Sequence, residues 1–117
     1  MLVYKITDAL SWRNAVATGH FEGSADDLRD GFVHLSASEQ TRDTLARHFA
    51  GRDDLVVVAV DTERLGPALK WEISRGGAKF PHHYGPLPTS ACVWWRPLPL
   101  EENGAHRLPP EMPPEII

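Results

Sequence analysis

The chain has little cysteine and no long apolar run. Cys92 is the single cysteine among 117 residues, so no internal disulfide can form. No stretch is apolar for long enough to cross a membrane, and we see no signal peptide. We therefore expect a cytoplasmic protein in which Cys92, inside an apolar run, is a small buried hydrophobe.

A surplus of basic residues is also missing. Twelve Lys and Arg stand against sixteen Asp and Glu, which gives a formal net charge of −4. An extended nucleic-acid surface needs a basic face and is not expected, whereas a small anionic ligand needs only one or two local cations. The motifs GxGxxG, GxxxxGK[ST] and GxSxG are absent as well. Rossmann binding, P-loop hydrolysis and α/β-hydrolase chemistry therefore have no support.

The length and the hydrophobic pattern indicate one domain of the α+β class. Strands are predicted at residues 2–6, 32–36, 55–60, 69–74 and 91–98. The run Leu55 to Val60 is apolar throughout and should be the central strand. Residues 1–100 are predicted to form the domain. From Pro97 the chain is proline-rich, so residues 101–117 are predicted to be a tail, extended on the surface or partly disordered.

Two substantial helices are predicted in the N-terminal half. The first should bury Trp12 and Val16, which are four residues apart, and end at Gly19. The second should begin at Ser36 or Ser38, with Ser36 and Glu39 as a capping box, and end at Gly51. A single helical turn is predicted between them, at residues 24–27.

The segment from Phe80 to Leu87, with the sequence FPHHYGPL, is the most informative part of the chain. It places His82, His83 and Tyr84 among turn-forming Gly and Pro residues, which predicts a rigid loop. Imidazoles and a phenol on a stiff backbone can bind a ligand or move protons. The alternative is a structural turn, in which Phe80 and Tyr84 pack and the histidines face solvent.

A second polar pattern lies at Gly31 to Ser36, with the sequence GFVHLS. His34 and Ser36 are two apart in a predicted strand and should share a face with Phe32. Such a pair could hold a ribose diol or an amide. Alternatively, Ser36 only caps the next helix and His34 is a satisfied, partly buried histidine.

Glu72 is the third candidate, since it lies in a predicted strand with Trp71 and Ile73 facing the opposite way. At an exposed edge it would only be solvated, but in a cleft it could polarise a ribose hydroxyl or act as a base. A zinc site built from His34, Glu72, His82 and His83 matches no HExxH spacing, and adjacent histidines rarely both bind one metal, so no metal is expected.

Taken together, these segments resemble a known family. The strand D-G-F-V-H-L-S from Asp30 to Ser36, the run from Leu55 to Asp61, the pair Trp71-Glu72 and the FPHHYGPL segment are similar to small uncharacterised bacterial proteins of the ADP-ribosyltransferase-like superfamily. The match extends from the first strand to about Leu98. The segment from Val33 to Ser36, with the helix and the β-branched strand that follow it, is also similar to RNA 2′-phosphotransferases, which carry an Arg-His pair in the first strand where this chain has Tyr4-Lys5.

The resemblance implies two small antiparallel sheets around a cleft, with helices alongside. It implies NAD or an ADP-ribose-like nucleotide as ligand and possible substrate, with no certain cofactor. His34 and Ser36 would hold the nicotinamide-side ribose and Glu72 would be the catalytic glutamate. Tyr84 or Phe80 would stack on the base, and His82 would donate a proton or contact phosphate. The alternatives are a non-catalytic binding module and a metal-assisted hydrolase; the oligomeric state is left open.

Overall fold

A computed structural model describes residues 1–112, apart from the side chain of Arg75. It has three α-helices and eight strands in the described range, with five short 3-10 turns between them. The helices are α1 (Ala9–Thr18), α2 (Ala25–Asp30) and α3 (Thr41–His48). The strands are β1 (Leu2–Asp8), β2 (His20–Phe21), β3 (Val33–His34), β4 (Leu55–Asp61), β5 (Leu69–Ile73), β6 (Lys79–His83), β7 (Leu87–Pro88) and β8 (Cys92–Pro97).

The strands form three small antiparallel sheets, and this confirms the α+β class. Their orders are β1-β4-β8, β2-β7 and β3-β6-β5. β4 is the centre of the first sheet, as the sequence predicts. Val56, Val58 and Val60 pack with Trp12 on one face of this sheet. Leu55, Val57 and Ala59 pack on the other face, so β4 needs apolar residues at every position.

Helix α1 buries a narrower face than predicted. The Asp8 carboxylate accepts a hydrogen bond from the Ser11 N–H at 2.9 Å and caps the helix start. The helix ends at Gly19, which has φ = 91° as a left-handed cap requires. Trp12 and Ala15 are buried, but Val16 is 58% exposed, so its predicted burial is wrong. One residue past Ala15 the helix has turned Val16 away from the core.

The predicted strand at 32–36 divides between two sheets. Val33 and His34 pair with β6, and the Leu35 N–H still donates to the Pro81 carbonyl at 3.0 Å. Ser36 then exchanges backbone hydrogen bonds with Tyr4 of β1, at 2.8 Å in each direction. This change of partner places the end of β3 between the first and third sheets.

The start of the next helix also differs from the prediction. A 3-10 turn at Ser38–Gln40 precedes α3. The Gln40 side chain accepts from the Ala37 N–H at 2.9 Å, whereas the Ser36 hydroxyl contacts the Thr44 hydroxyl at 3.1 Å. The Ser36–Glu39 capping box is therefore wrong, because Ser36 is still in the bridge to β1.

The predicted rigid loop is half strand. Residues Lys79–His83 form β6, the centre of the third sheet, and only the three residues before β7 turn. A proline in a central strand is unusual because it has no N–H to donate. Here Pro81 keeps its ladder position opposite Trp71 and accepts through its carbonyl from Leu35. The histidines are consequently buried and not presented on a loop.

The proline-rich segment differs from an extended tail as far as it is described. Leu98 and Met112 are buried in the cluster on the second face of β4. His106 is buried too, and its Nε2 donates to the Arg52 carbonyl at 2.6 Å. The rest of the predicted tail, residues 113–117, lies outside the described residues. Within residues 1–112, no helix is long and apolar enough to span a membrane.

Candidate functional site

A cleft of about 340 Å³ opens where β1, α2, β3, α3 and β6 meet. Four predicted site residues line it: His34, Ser36, Phe80 and His82. The first two come from the strand that crosses between the sheets, and the other two come from β6. Glu72 and Tyr84 are not part of the lining, but Glu72 contacts His82 and the Tyr84 hydroxyl contacts Glu72.

Asp27 is the structural centre of one side of the cleft. Its buried Oδ1 accepts from the His34 backbone N–H at 3.0 Å and lies 2.6 Å from the His34 Nδ1. Its Oδ2 accepts from the Ser24 N–H at 2.9 Å and from the Lys5 ammonium at 2.8 Å. Burial would raise the pKa of this carboxyl, but the His34 hydrogen bonds and the Lys5 charge outweigh it and hold the pKa well below its usual range.

The short helix α2 brings Asp27 to this position. Ser24 and Asp27 form a reciprocal capping box at the start of α2. The predicted helical turn at residues 24–27 covers this start, and the helix continues to Asp30. Gly23 has φ = 119°, and a Cβ there would lie 2.9 Å from the Asp27 Cβ. The chain thus needs glycine at residue 23 to let the carboxylate approach Lys5.

His34 is held by two carboxylates. Its Nε2 lies 2.9 Å from the Asp30 Oδ2, in addition to the Nδ1 contact with Asp27. An ionised carboxylate only accepts hydrogen bonds. Both contacts are therefore satisfied together only when the ring carries two protons, which is the imidazolium form.

His82 forms the opposite side with Glu72 and Tyr84. Its Nδ1 lies 2.9 Å from the Glu72 Oε1, and the Tyr84 hydroxyl donates to the same oxygen at 2.7 Å. The bonds from Tyr84 and His82 hold the pKa of Glu72 below its usual value, so this carboxylate accepts and Nδ1 donates. In a neutral ring that geometry leaves Nε2 without a proton, so this nitrogen carries the lone pair that can accept a hydrogen bond.

Phe32 contacts both histidine rings. Its ring stacks on His82 at a centroid distance of 4.0 Å and lies 4.6 Å from the His34 ring and 5.4 Å from the Tyr84 ring. His34 and His82 are direct partners across β3 and β6, with ring centroids 5.7 Å apart. The aromatic contact fixes the plane of His82, and Glu72 fixes its rotation in that plane.

His83 and Cys92 do not line the cleft, and Cys92 is only partly buried where the sequence predicted a buried residue. His83 is buried, and its Nδ1 donates to the Gly85 carbonyl at 3.0 Å. Burial raises the pKa of the Cys92 thiol to about 11, so this sulfur is a thiol at neutral pH. Among residues 1–112, no group of three or more His, Cys, Asp or Glu side chains is placed to hold a metal ion.

Lys5, Asp27 and Asp30 belong to the site but were not predicted as site residues. A signal for Lys5 exists, because it is a charged residue at an inward-facing position of β1. A buried lysine needs a carboxylate partner. The capping box at Ser24 identifies Asp27 as one of several acidic candidates, but no sequence pattern connects it to Lys5.

Comparison with known proteins places the chain in a family. The model of the DUF952 family, described as a protein of unknown function, matches residues 6–95. The chain belongs to the DUF952 family. No curated protein matches it.

Solved structures of a bacterial protein are similar over nearly the whole chain. The crystal structure of protein CC0527 from Caulobacter crescentus superposes with a TM-score of 0.87, over 92% of this chain and 94% of that chain. The two amino-acid sequences are 50% identical. The solution NMR structure of CC0527 is 52% identical, with a TM-score of 0.80, over 89% of this chain and 90% of that one. The fold of this DUF952 member is thus shared with an experimentally determined relative.

Proposed function

We propose that the cleft binds NAD or another ADP-ribose-like nucleotide, and that its reaction, where it turns over, is glycosidic transfer. The observation that carries the proposal is the meeting of His34, Ser36, Phe80 and His82 in one cleft. They come from two segments more than 40 residues apart. A hydrophobic core disfavours the polar groups of His34, Ser36 and His82 unless each has a specific partner.

The size of the cleft favours half of a dinucleotide. Its volume of about 340 Å³ is near the lower end of ligand sites, which run from roughly 300 to 1,000 Å³. A ribose with its base would be enclosed and the remainder would extend along the surface. Small antiparallel sheets beside a cleft also agree with the ADP-ribosyltransferase-like architecture, whose assignment is part of this proposal.

In this proposal His82 meets the ligand and Glu72 acts behind it. In the neutral ring, His82 Nε2 accepts a hydrogen bond from a ribose hydroxyl, because Nδ1 donates to Glu72; in the doubly protonated ring, Nε2–H donates a proton or contacts a phosphate, as predicted. The negative charge of Glu72 stabilises the positive charge that develops on the sugar. It acts through the His82 ring, to which Glu72 is hydrogen-bonded. Tyr84 keeps Glu72 in place, since its hydroxyl donates to the carboxylate.

The remaining predicted residues bind the ligand. His34 and Ser36 lie on the side of the cleft where the ribose is proposed to sit. Phe80, which lines the cleft, is the better of the two predicted aromatics for stacking on the base. Tyr84 does not line the cleft, and its hydroxyl is used by Glu72.

A specific observation favours the second candidate, a binding module without turnover. The ionisable groups on the α2 side satisfy one another: Lys5 with Asp27, Asp27 with His34, and His34 with Asp30. Such a network makes a rigid surface for binding but leaves no unpaired acid or base on that side. Turnover of NAD separates the two candidates.

Binding and turnover are measured in parallel. Calorimetric titration with NAD and ADP-ribose gives affinity, and a nicotinamide-release assay gives turnover. Glu72→Gln should abolish release with little change in affinity, because it removes charge and keeps size. His34→Ala should weaken binding. At 100 times the dissociation constant, bound ligand should add roughly 2.7 kcal/mol of apparent stability in a thermal-shift assay.

Matched controls are available for both substitutions. Glu63→Gln and His20→Ala change exposed residues outside the cleft and should alter neither readout. Binding without nicotinamide release, in the presence of several acceptors, supports the module. Absence of any binding by the wild type contradicts the proposed ligand.

A further inference from the structure

We infer that Asp30 occupies the place of an anionic group of the ligand, and that it sets the selectivity of the cleft at His34. The inference rests on the proposed function in so far as both concern the same cleft. It names a different property, however, which is how an incoming phosphate or carboxylate oxygen reaches the His34 ring.

The two carboxylates on His34 differ in how firmly they are held. Asp27 is buried and takes hydrogen bonds from Ser24, Lys5 and both the backbone and the ring of His34. Its removal would leave several buried donors unsatisfied. The Nδ1 side of the ring is therefore fixed.

Asp30 is held far less firmly. Its side chain is 34% exposed at the end of α2. Besides His34 it contacts Arg29, whose side chain is 68% exposed and reaches both Asp30 oxygens, at 3.0 and 3.4 Å. Arg29 also pairs with the Asp26 carboxylate at 3.2 Å, so it stays at the cleft when Asp30 turns into solvent. In the doubly protonated ring that satisfies both carboxylates, the Nε2–H of His34 is then a donor at the surface of the cleft.

The local charge explains which ligand group would take that place. Lys5, Arg29 and His34⁺ balance Asp26, Asp27 and Asp30, and all six residues line the cleft. When Asp30 leaves, the balance becomes one positive charge beside Nε2. An oxygen of a phosphate, a diphosphate or a carboxylate restores both the hydrogen bond and neutrality. A neutral ligand would restore only the hydrogen bond.

Asp30→Ala tests the inference with inorganic phosphate, pyrophosphate and ADP-ribose as anionic probes and adenosine as a neutral probe. Affinity is measured by calorimetry, and the His34 ring is observed by nitrogen NMR. The variant should bind the anionic probes more tightly by about two- to fivefold, the range of an exposed ion pair, and adenosine unchanged. Binding should shift the His34 Nε2 resonance. Asp53→Ala, at an exposed acidic residue outside the cleft, should change nothing.

The outcomes separate this inference from the proposed function. Tighter phosphate or pyrophosphate binding in Asp30→Ala, without binding of ADP-ribose or NAD, supports the role of Asp30 and contradicts the nucleotide proposal. Equal or weaker anion binding in a variant with an unchanged NMR fold overturns the role of Asp30. Tighter binding that leaves the His34 resonance unmoved also overturns it. Asp30→Asn, which keeps an acceptor for Nε2, should give the smaller increase.

Discussion

The central strands β4 and β6 are both buried, but different interactions allow their burial. β4 is apolar from Leu55 to Val60 and packs on both faces. β6 carries His82 and His83, which are nearly as inaccessible. Each has a specific partner, Glu72 for His82 and the Gly85 carbonyl for His83. Hydrophobic burial needs no particular partner, whereas polar burial needs the right atom at the right distance.

The same contrast holds between β4 and the polar cluster around the cleft. This polar cluster consists of Lys5, Asp27, Asp30, His34, Glu72, His82 and Tyr84. A methyl group lost from β4 leaves a cavity that neighbours can partly fill. A partner lost from the polar cluster leaves a buried charge that no neighbouring group compensates. The following experiments test this difference, beginning with the largest expected effect.

Asp27→Ala should cause the largest loss of stability. It leaves Lys5 buried without its carboxylate, and breaking a buried ion pair costs about 3–5 kcal/mol. The free energy of unfolding from urea titration measures the loss. Asp26→Ala, at the neighbouring exposed carboxylate, is the control and should stay within about 0.5 kcal/mol. Equal losses in the two variants would contradict the structural role of Asp27.

Val58→Ala should cost less, on the order of 1–3 kcal/mol, because it removes two methyl groups from a fully buried site. The same urea titration measures it. Val93→Ala is the matched control, since Val93 lies in the neighbouring strand β8 and is 51% exposed. A change within about 0.5 kcal/mol for Val58→Ala would argue against β4 as the core strand.

Acid should destabilise the protein through the polar cluster. The pKa of Asp27 is lower in the folded state than in the unfolded chain, where it is about 4. Its contribution is therefore present above about pH 4 and is lost as the pH falls further, because the unfolded state then binds more protons. Asp27→Asn should be less stable at neutral pH but show a flatter decline of the unfolding free energy below about pH 4. Parallel declines in the wild type and this variant would remove Asp27 as the cause.

Tyr84→Phe should have the smallest effect on stability, because Tyr84 and Glu72 are partly exposed. It removes the largest cause of the low Glu72 pKa, so that pKa should move up towards its usual value. The shift should be partial because the His82 bond remains. Carbon NMR of the Glu72 carboxyl during a pH titration measures it. An unchanged Glu72 pKa would show that Tyr84 does not hold the carboxylate.

The sequence patterns were reliable where burial depends only on hydrophobicity. The run Leu55 to Val60 and Trp12 were predicted to be core and are core. The pattern failed at the FPHHYGPL segment, where proline and histidine predicted a loop. Pro81 is accepted within β6 because its neighbours Leu35 and Trp71 continue the pairing around it.

The candidate site was predictable only in part, for a related reason. The spacing of His34 and Ser36 identified one strand end, and the FPHHYGPL segment identified the other. Their meeting in one cleft depends on the pairing of β3 with β6, which brings His34 opposite His82. Asp30 was named only as the first residue of the D-G-F-V-H-L-S strand. Its contact with His34 arises because α2 ends at Asp30 and the chain turns at Gly31, which the motif does not specify.

The sequence by itself determined the apolar centre, the α+β class and the residue types available for chemistry. These follow from composition and periodicity, which act locally and need no partner. Only the tertiary structure decided which polar groups are partners: Lys5 with Asp27, and His82 with Glu72. Hydrogen bonds and ion pairs act over a few ångströms and at defined angles, so long-range chain packing alone decides which of them form.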